Sequence, residues 1–201
     1  MKTDPNEKPL DGTTGKKKPA TVREILSAQM FAVTNHEAEF LNLNTRSEKH
    51  GEEDKPAADI KCAVTGPHSL IECFGDALRD FLFREPGVGE DKQTSLDLGG
   101  DKRINVRYPR IKPVTLTDEF PGYTFILSPG IDAGEVLTFK GAKLKGFQFR
   151  PIDGGAVEVT FTASVYPDGH QAGVLFEWQR KTLVLTLERP KAAGEAQKTL
   201  N

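Results

Sequence analysis

The sequence predicts a mainly β, α+β domain: an antiparallel, partly closed barrel or sandwich of seven to eight strands, with one strong helix over about 67–84 and one or two short helices. Three observations carry this. Apolar and polar residues alternate in short segments along most of the chain. Turn signals such as Ser128-Pro129-Gly130 and Asp153-Gly154-Gly155 separate those segments. One segment alone shows a long apolar stripe at helical spacing.

The elements follow in order. Residues 1–20 are Pro-, Gly- and Lys-rich and offer almost nothing to bury, so they read as a disordered tail. Val22, Ile25, Leu26 and Met30 favour a helix over Thr21–Phe31, with a strand as the alternative. Ala38–Arg46 reads as a strand. Ala58, Ile60, Cys62 and Val64 alternate with Asp59 and Lys61 as its hairpin partner. The charged stretch between them must be solvated. Pro67 suits the first position of a helix. Leu70, Ile71, Phe74, Ala77, Leu78, Phe81 and Leu82 then form one stripe.

A Gly-rich loop spans 86–101. Strands are expected at Ile104–Tyr108, Tyr123–Leu127, Glu135–Lys140 and Lys143–Arg150, the last two joined at Gly141-Ala142. Val157–Val165 alternates strictly behind an Asp-Gly turn, the best hairpin signal in the chain. Asp168-Gly169 reads as a turn, Val174–Trp178 as a short helix and Leu183–Leu187 as the last strand. The domain therefore spans 21–188, and 189–201 forms a second disordered tail.

The chain has 201 residues and a net charge of −2, so no global field draws it to nucleic acid or to an anionic membrane. No apolar run approaches the ~18 residues that a membrane span requires. The Lys-rich start has no apolar stretch behind it and is not a secretory signal. Cys62 and Cys73 read as reduced, buried thiols, with a bridge between them as the alternative. A cytoplasmic protein of a bacterial host cell is the expectation.

Motifs for chemistry fail one by one. Gly12-Thr13-Thr14-Gly15-Lys16 is two residues short of a phosphate loop, and no strand precedes it. Gly87-Val88-Gly89 lacks the third glycine of a dinucleotide fingerprint. His50-Gly51-Glu52 matches half of a zinc deaminase signature, but the Pro-Cys-x-x-Cys half is missing. No Gly-x-Ser-x-Gly elbow occurs. Neither enzyme activity nor a cofactor nor a metal is expected.

Charge distribution is more informative. Between 101 and 150 there are nine Lys/Arg against five Asp/Glu, whereas residues 36–59 carry seven acids against three bases. The candidate nucleic-acid-binding residues are Lys102, Arg103, Arg107, Arg110, Lys140, Lys143, Lys145, Phe147, Phe149 and Arg150. Basic side chains interleaved with aromatics on a curved sheet are how single-strand binders track phosphates and stack bases. Strand parity would put Lys145, Phe147 and Phe149 on one face. The two phenylalanines are either such a platform or core, and burial against the main helix would remove the platform. Glu48, His50, Glu52, Glu53 and Asp54 form the alternative, an acidic contact surface for a protein.

The stretch Arg46-Ser47-Glu48-Lys49-His50-Gly51-Glu52-Glu53-Asp54-Lys55-Pro56-Ala57-Ala58-Asp59-Ile60-Lys61 resembles small proteins of phage and prophage replication or recombination regions. The hairpin 143–165 and the helix and Leu-rich strand after it fit the same pattern, so the resemblance covers about 38–188. It implies a viral or mobile-element origin and brings no catalytic residues. Two functions are expected on this basis. One is an accessory protein binding single-stranded DNA through the 101–150 region. The other is an interaction module that blocks a host defence or recombination complex through its acidic hairpin. A homodimer through an exposed edge strand is compatible with either.

Overall fold

The computed structural model describes residues 30–51, 53–87, 104–130 and 134–190. Nine strands are present among them: β1 (Val33–His50), β2 (Glu53–Pro67), β3 (Phe83–Arg84), β4 (Asn105–Val106), β5 (Val114–Leu116), β6 (Phe120–Ser128), β7 (Leu137–Ile152), β8 (Ala156–Val165) and β9 (Thr182–Glu188). Seven form one antiparallel sheet in the order β5-β7-β6-β9-β1-β2-β8. Pairing of β7 with β8 closes six of them into a barrel, and β5 is the extra strand. The mainly β architecture is as the sequence predicts, with complete rather than partial closure.

Alternation explains the barrel. Ile60, Cys62 and Val64 of β2 point inward, as do Tyr123, Phe125 and Leu127 of β6 and Leu183, Leu185 and Leu187 of β9, all nearly inaccessible to water. Closure pairs the six barrel strands around the wall, while β5, paired with β7 alone among the described residues, keeps a free outer edge. An aromatic cluster fills one end. Phe147 lies 5.6 Å from Phe31, 5.1 Å from Phe74 and 5.6 Å from Phe161 between ring centroids. Such pairs add about 0.5–1.5 kcal/mol each beyond their area burial.

Four elements differ from the sequence reading. The strong helix over 67–84 is two short ones: a 3-10 turn, His68–Phe74, and α1, Asp76–Leu82. Gly75 separates them at φ +105°, a conformation glycine adopts and a helix does not. Pro67 is the last residue of β2 rather than a helix start. The break also splits the apolar stripe. Ile71 and Leu82 reach the core, whereas Phe81 turns out to solvent.

Residues 135–150, read as two strands, are one, β7. Gly141 (φ +75°) and Gly146 (φ +63°) each insert a bulge instead of ending it. The inward residues are therefore Phe139, Ala142, Leu144, Phe147 and Phe149, with a skipped position at each glycine. The strand at Ile104–Tyr108 shrinks to β4, which pairs with β3.

Asp168 is a helix cap rather than a turn residue. Its Oδ1 accepts from the Gln171 N–H at 2.8 Å, and Gln171 Oε1 accepts from the Asp168 N–H at 3.1 Å, which starts α2 (Gly169–Trp178). The helix expected over 21–31 falls outside the described residues up to position 29, and Phe31 is buried core. The tails expected at 1–20 and 189–201 also fall outside them, apart from residues 189 and 190. No helix among the described residues is long and apolar enough to cross a membrane.

Candidate nucleic-acid interface

The bulge at Gly146 decides what β7 shows to solvent. It breaks the parity that would have put Lys145 on the same face as Phe147 and Phe149. Lys145 points outward, while Phe147 and Phe149 are 0% and 1% exposed. Both rings pack on Phe74 of the 3-10 turn. The stacking platform expected at these two positions is therefore the barrel core. They cannot receive a base without opening the fold.

The outward cations of β7 are mostly paired. Lys143 Nζ donates to Glu119 at 2.9 Å, Lys145 Nζ to Asp59 at 3.2 Å, and Arg150 to both oxygens of Glu158 at 3.1 and 2.5 Å. Lys140 is exposed on the β6 side of the strand. Lys102 and Arg103 lie outside the described residues.

Asp59 is the centre of a polar knot on the barrel wall. Ser164 Oγ donates to its Oδ1 at 2.5 Å, and Arg46 Nη1 lies 2.7 Å from the same oxygen, an ionic contact off the hydrogen-bond angle. Partial burial pulls this carboxyl up, but the bonds from Ser164, Arg46 and Lys145 together outweigh that and hold it below the usual range. Arg46 Nε also donates to Glu48 at 2.7 Å, and Tyr166 donates to the other Glu48 oxygen at 2.8 Å. This knot braces the root of a ribbon. From Arg46 to His50 and from Glu53 to Ala57, β1 and β2 pair only with each other, beyond the last β8 partner at Ala58. Five residues at ~3.3 Å each give an arm of about 16 Å.

Two residues of the acidic contact surface expected on this arm, Glu48 and Asp54, have cations as cross-strand neighbours. Glu48 stands opposite Lys55 and Asp54 opposite Lys49, cross-strand pairs that fix the register. Glu52 and the side chains of His50 and Glu53 lie outside the described residues.

One basic–aromatic surface remains open, and it is not the one the spacing suggested. Phe81 of α1 and Tyr108 are 43% and 48% exposed, with ring centroids 5.5 Å apart. Two hydrogen bonds bring them together. The Arg107 N–H donates to the Leu82 carbonyl at 2.9 Å, which ties the segment after β4 to the end of α1. The Ile111 N–H donates to the Tyr108 carbonyl at 3.1 Å, closing a turn with Pro109 at its second position.

That turn displays Arg110, and Lys112 follows it; both are exposed. Neither has a carboxylate partner among the described residues. Arg107 is exposed too and uses Nε on the Phe83 carbonyl at 3.3 Å. Ile111, 41% exposed, extends the apolar part of the patch. Arg107 and Arg110 belonged to the sequence-derived set and Lys112 to the basic run counted around it; Phe81 and Tyr108 belonged to neither. The signal for Tyr108 was present in Arg107-Tyr108-Pro109-Arg110-Ile111-Lys112, a basic–aromatic run with no acid in it.

Cys62 is buried as the sequence suggests, whereas Cys73 is only half-buried. Both cysteines are free, and burial pushes Cys62 up to about 12 and Cys73 up to about 11. Comparison with protein-family models, with curated proteins and with solved structures finds no match to this chain.

Proposed function

We propose that the protein is a non-catalytic module that binds single-stranded nucleic acid on the face formed by Phe81, Tyr108, Arg107, Arg110 and Lys112. The observation that carries this is the exposed Phe81–Tyr108 pair beside Arg110 and Lys112, which have no carboxylate partner among the described residues. Solvent-facing rings give unstacked bases a surface, and the cations meet the phosphates. A duplex hides its base faces and gains only the cation contacts. An accessory role in phage or prophage replication or recombination is compatible with such a module.

The test is a fluorescence anisotropy titration with labelled oligodeoxythymidine at two salt concentrations, with duplex DNA as competitor. Salt-sensitive binding at micromolar protein that duplex displaces poorly supports the proposal. No binding at low salt overturns it.

The arm favours a second reading, docking of a host or phage protein along the β1–β2 ribbon. Exchanging residues 47–54 for a two-residue turn would then abolish partner binding and leave oligonucleotide affinity unchanged.

A further inference from the structure

The nucleic-acid face has a neighbour that it does not yet use. Lys112 and Pro113 lead into β5, whose first residue, Val114, pairs with Phe149 of β7. The next residue of β7 is Arg150, so the cation run Arg107, Arg110, Lys112 arrives beside a fourth cation on the outer wall. Arg150 is held by Glu158 of β8, its direct cross-strand partner, through two bonds at 3.1 and 2.5 Å. The Arg150 side chain is 57% exposed, and that of Glu158 is 26% exposed.

A guanidinium presents two parallel donors, and a carboxylate and a phosphate accept them in the same geometry. An ion pair this exposed is weak, so another anion can compete for it. Beyond it Thr65 stands opposite Glu158 and Gln148 opposite both Thr115 and Thr160, and the exposed Glu39 of β1 lies further along the same wall, close enough to act on Arg150.

We propose that Glu158 occupies a phosphate position of the nucleic-acid face: a bound single strand runs from Tyr108 past Lys112 and displaces Glu158 from Arg150. This rests on the function proposed above and extends that face from α1 onto the barrel. Glu158 then acts as a built-in competitor that limits affinity, and Arg150 becomes a phosphate ligand only when strand binding has begun. A strand long enough to pass Lys112 gains this contact; one that ends on the Phe81–Tyr108 rings does not.

The experiment uses the full chain and labelled oligodeoxythymidine. Glu158→Gln is compared with Glu177→Gln, which makes the same charge change on α2. Freed from one exposed ion pair, E158Q binds about two- to fivefold tighter than wild type. On a strand that passes Lys112, Arg150→Ala removes one phosphate contact and makes the slope of log K against log salt shallower by about 0.7. The gain disappears in Arg150→Ala/Glu158→Gln. If wild type binds but E158Q is no tighter than Glu177→Gln, or the gain survives loss of Arg150, this inference falls and the proposed function stands. If wild type does not bind, both fall.

Discussion

The rings of Phe81 and Tyr108 lie 5.5 Å apart and both face solvent, although one belongs to a helix and the other to a loop beyond a second sheet. Two rings this exposed contribute little to the core. Tyr108→Ala therefore leaves urea-denaturation stability within about 0.5 kcal/mol of wild type. The same variant weakens single-strand binding by about 1–3 kcal/mol, the range for one lost base–aromatic stack. Phe81→Ala follows it in binding. A stability loss without a binding loss would make the pair structural.

Three cations on this face set the salt dependence. With Arg107, Arg110 and Lys112 each meeting one phosphate, and on a strand too short to reach Arg150, log K falls against log salt with a slope of about −2. Arg110→Ala reduces the slope by about 0.7. Lys143→Ala leaves it unchanged, because Lys143 stands opposite Ser164 at the other half of β7, outside this face.

Gly146 carries the bulge that separates Lys145 from Phe147. A Cβ there meets nothing within 4 Å, so substitution is penalised only by the backbone at φ +63°. Gly146→Ala lowers stability by about 1–2 kcal/mol. Gly173, inside α2 and equally uncrowded, behaves in the opposite sense, and Gly173→Ala raises stability by about 0.5–1 kcal/mol. Equilibrium urea unfolding of both variants checks the pair. Equal effects would mean that the bulge conformation is not what Gly146 supplies.

Asp59 predicts an acid-sensitive contribution. Its carboxyl is held below the usual range in the folded chain, so the unfolded chain binds the proton more readily. The stability that follows is fully present above the unfolded value, near pH 4, and is lost as pH falls through the folded value. Asp59→Asn removes this pH dependence and destabilises at neutral pH, because Arg46 and Lys145 lose their anion. Urea midpoints at pH 7 and below pH 4 converge for wild type and variant. Midpoints that stay equally far apart at both values would contradict the assignment.

Much of the barrel was legible in the sequence, and the reasons are local. The alternation at Ala58–Val64, Val157–Val165 and Leu183–Leu187 fixes which side of each strand is apolar, and closure follows from having enough such strands. What escaped depends on single glycines. Gly75 breaks a stripe whose spacing was perfect for one helix, and that break sends Phe81 outward. Gly146 shifts parity within one strand, and that shift sends Phe147 and Phe149 inward. Both events moved aromatic residues across the line between core and surface. The basic part of the candidate face, Arg107 and Arg110, was visible because exposed cations need no tertiary context. Its aromatic part was not, since Phe81 and Tyr108 meet only through the β3–β4 pairing and the Arg107–Leu82 hydrogen bond, which no periodicity announces.

The central claim is that bases stack on Phe81 and Tyr108 rather than on the aromatics of β7. Ultraviolet crosslinking of the bound oligodeoxythymidine, with mass spectrometry of the tryptic peptides, tests it most directly. The account predicts nucleotide adducts on the peptides that carry Tyr108 and Phe81, lost in Tyr108→Ala/Phe81→Ala. Adducts confined to the peptides of β7 or of the β1–β2 arm would contradict it.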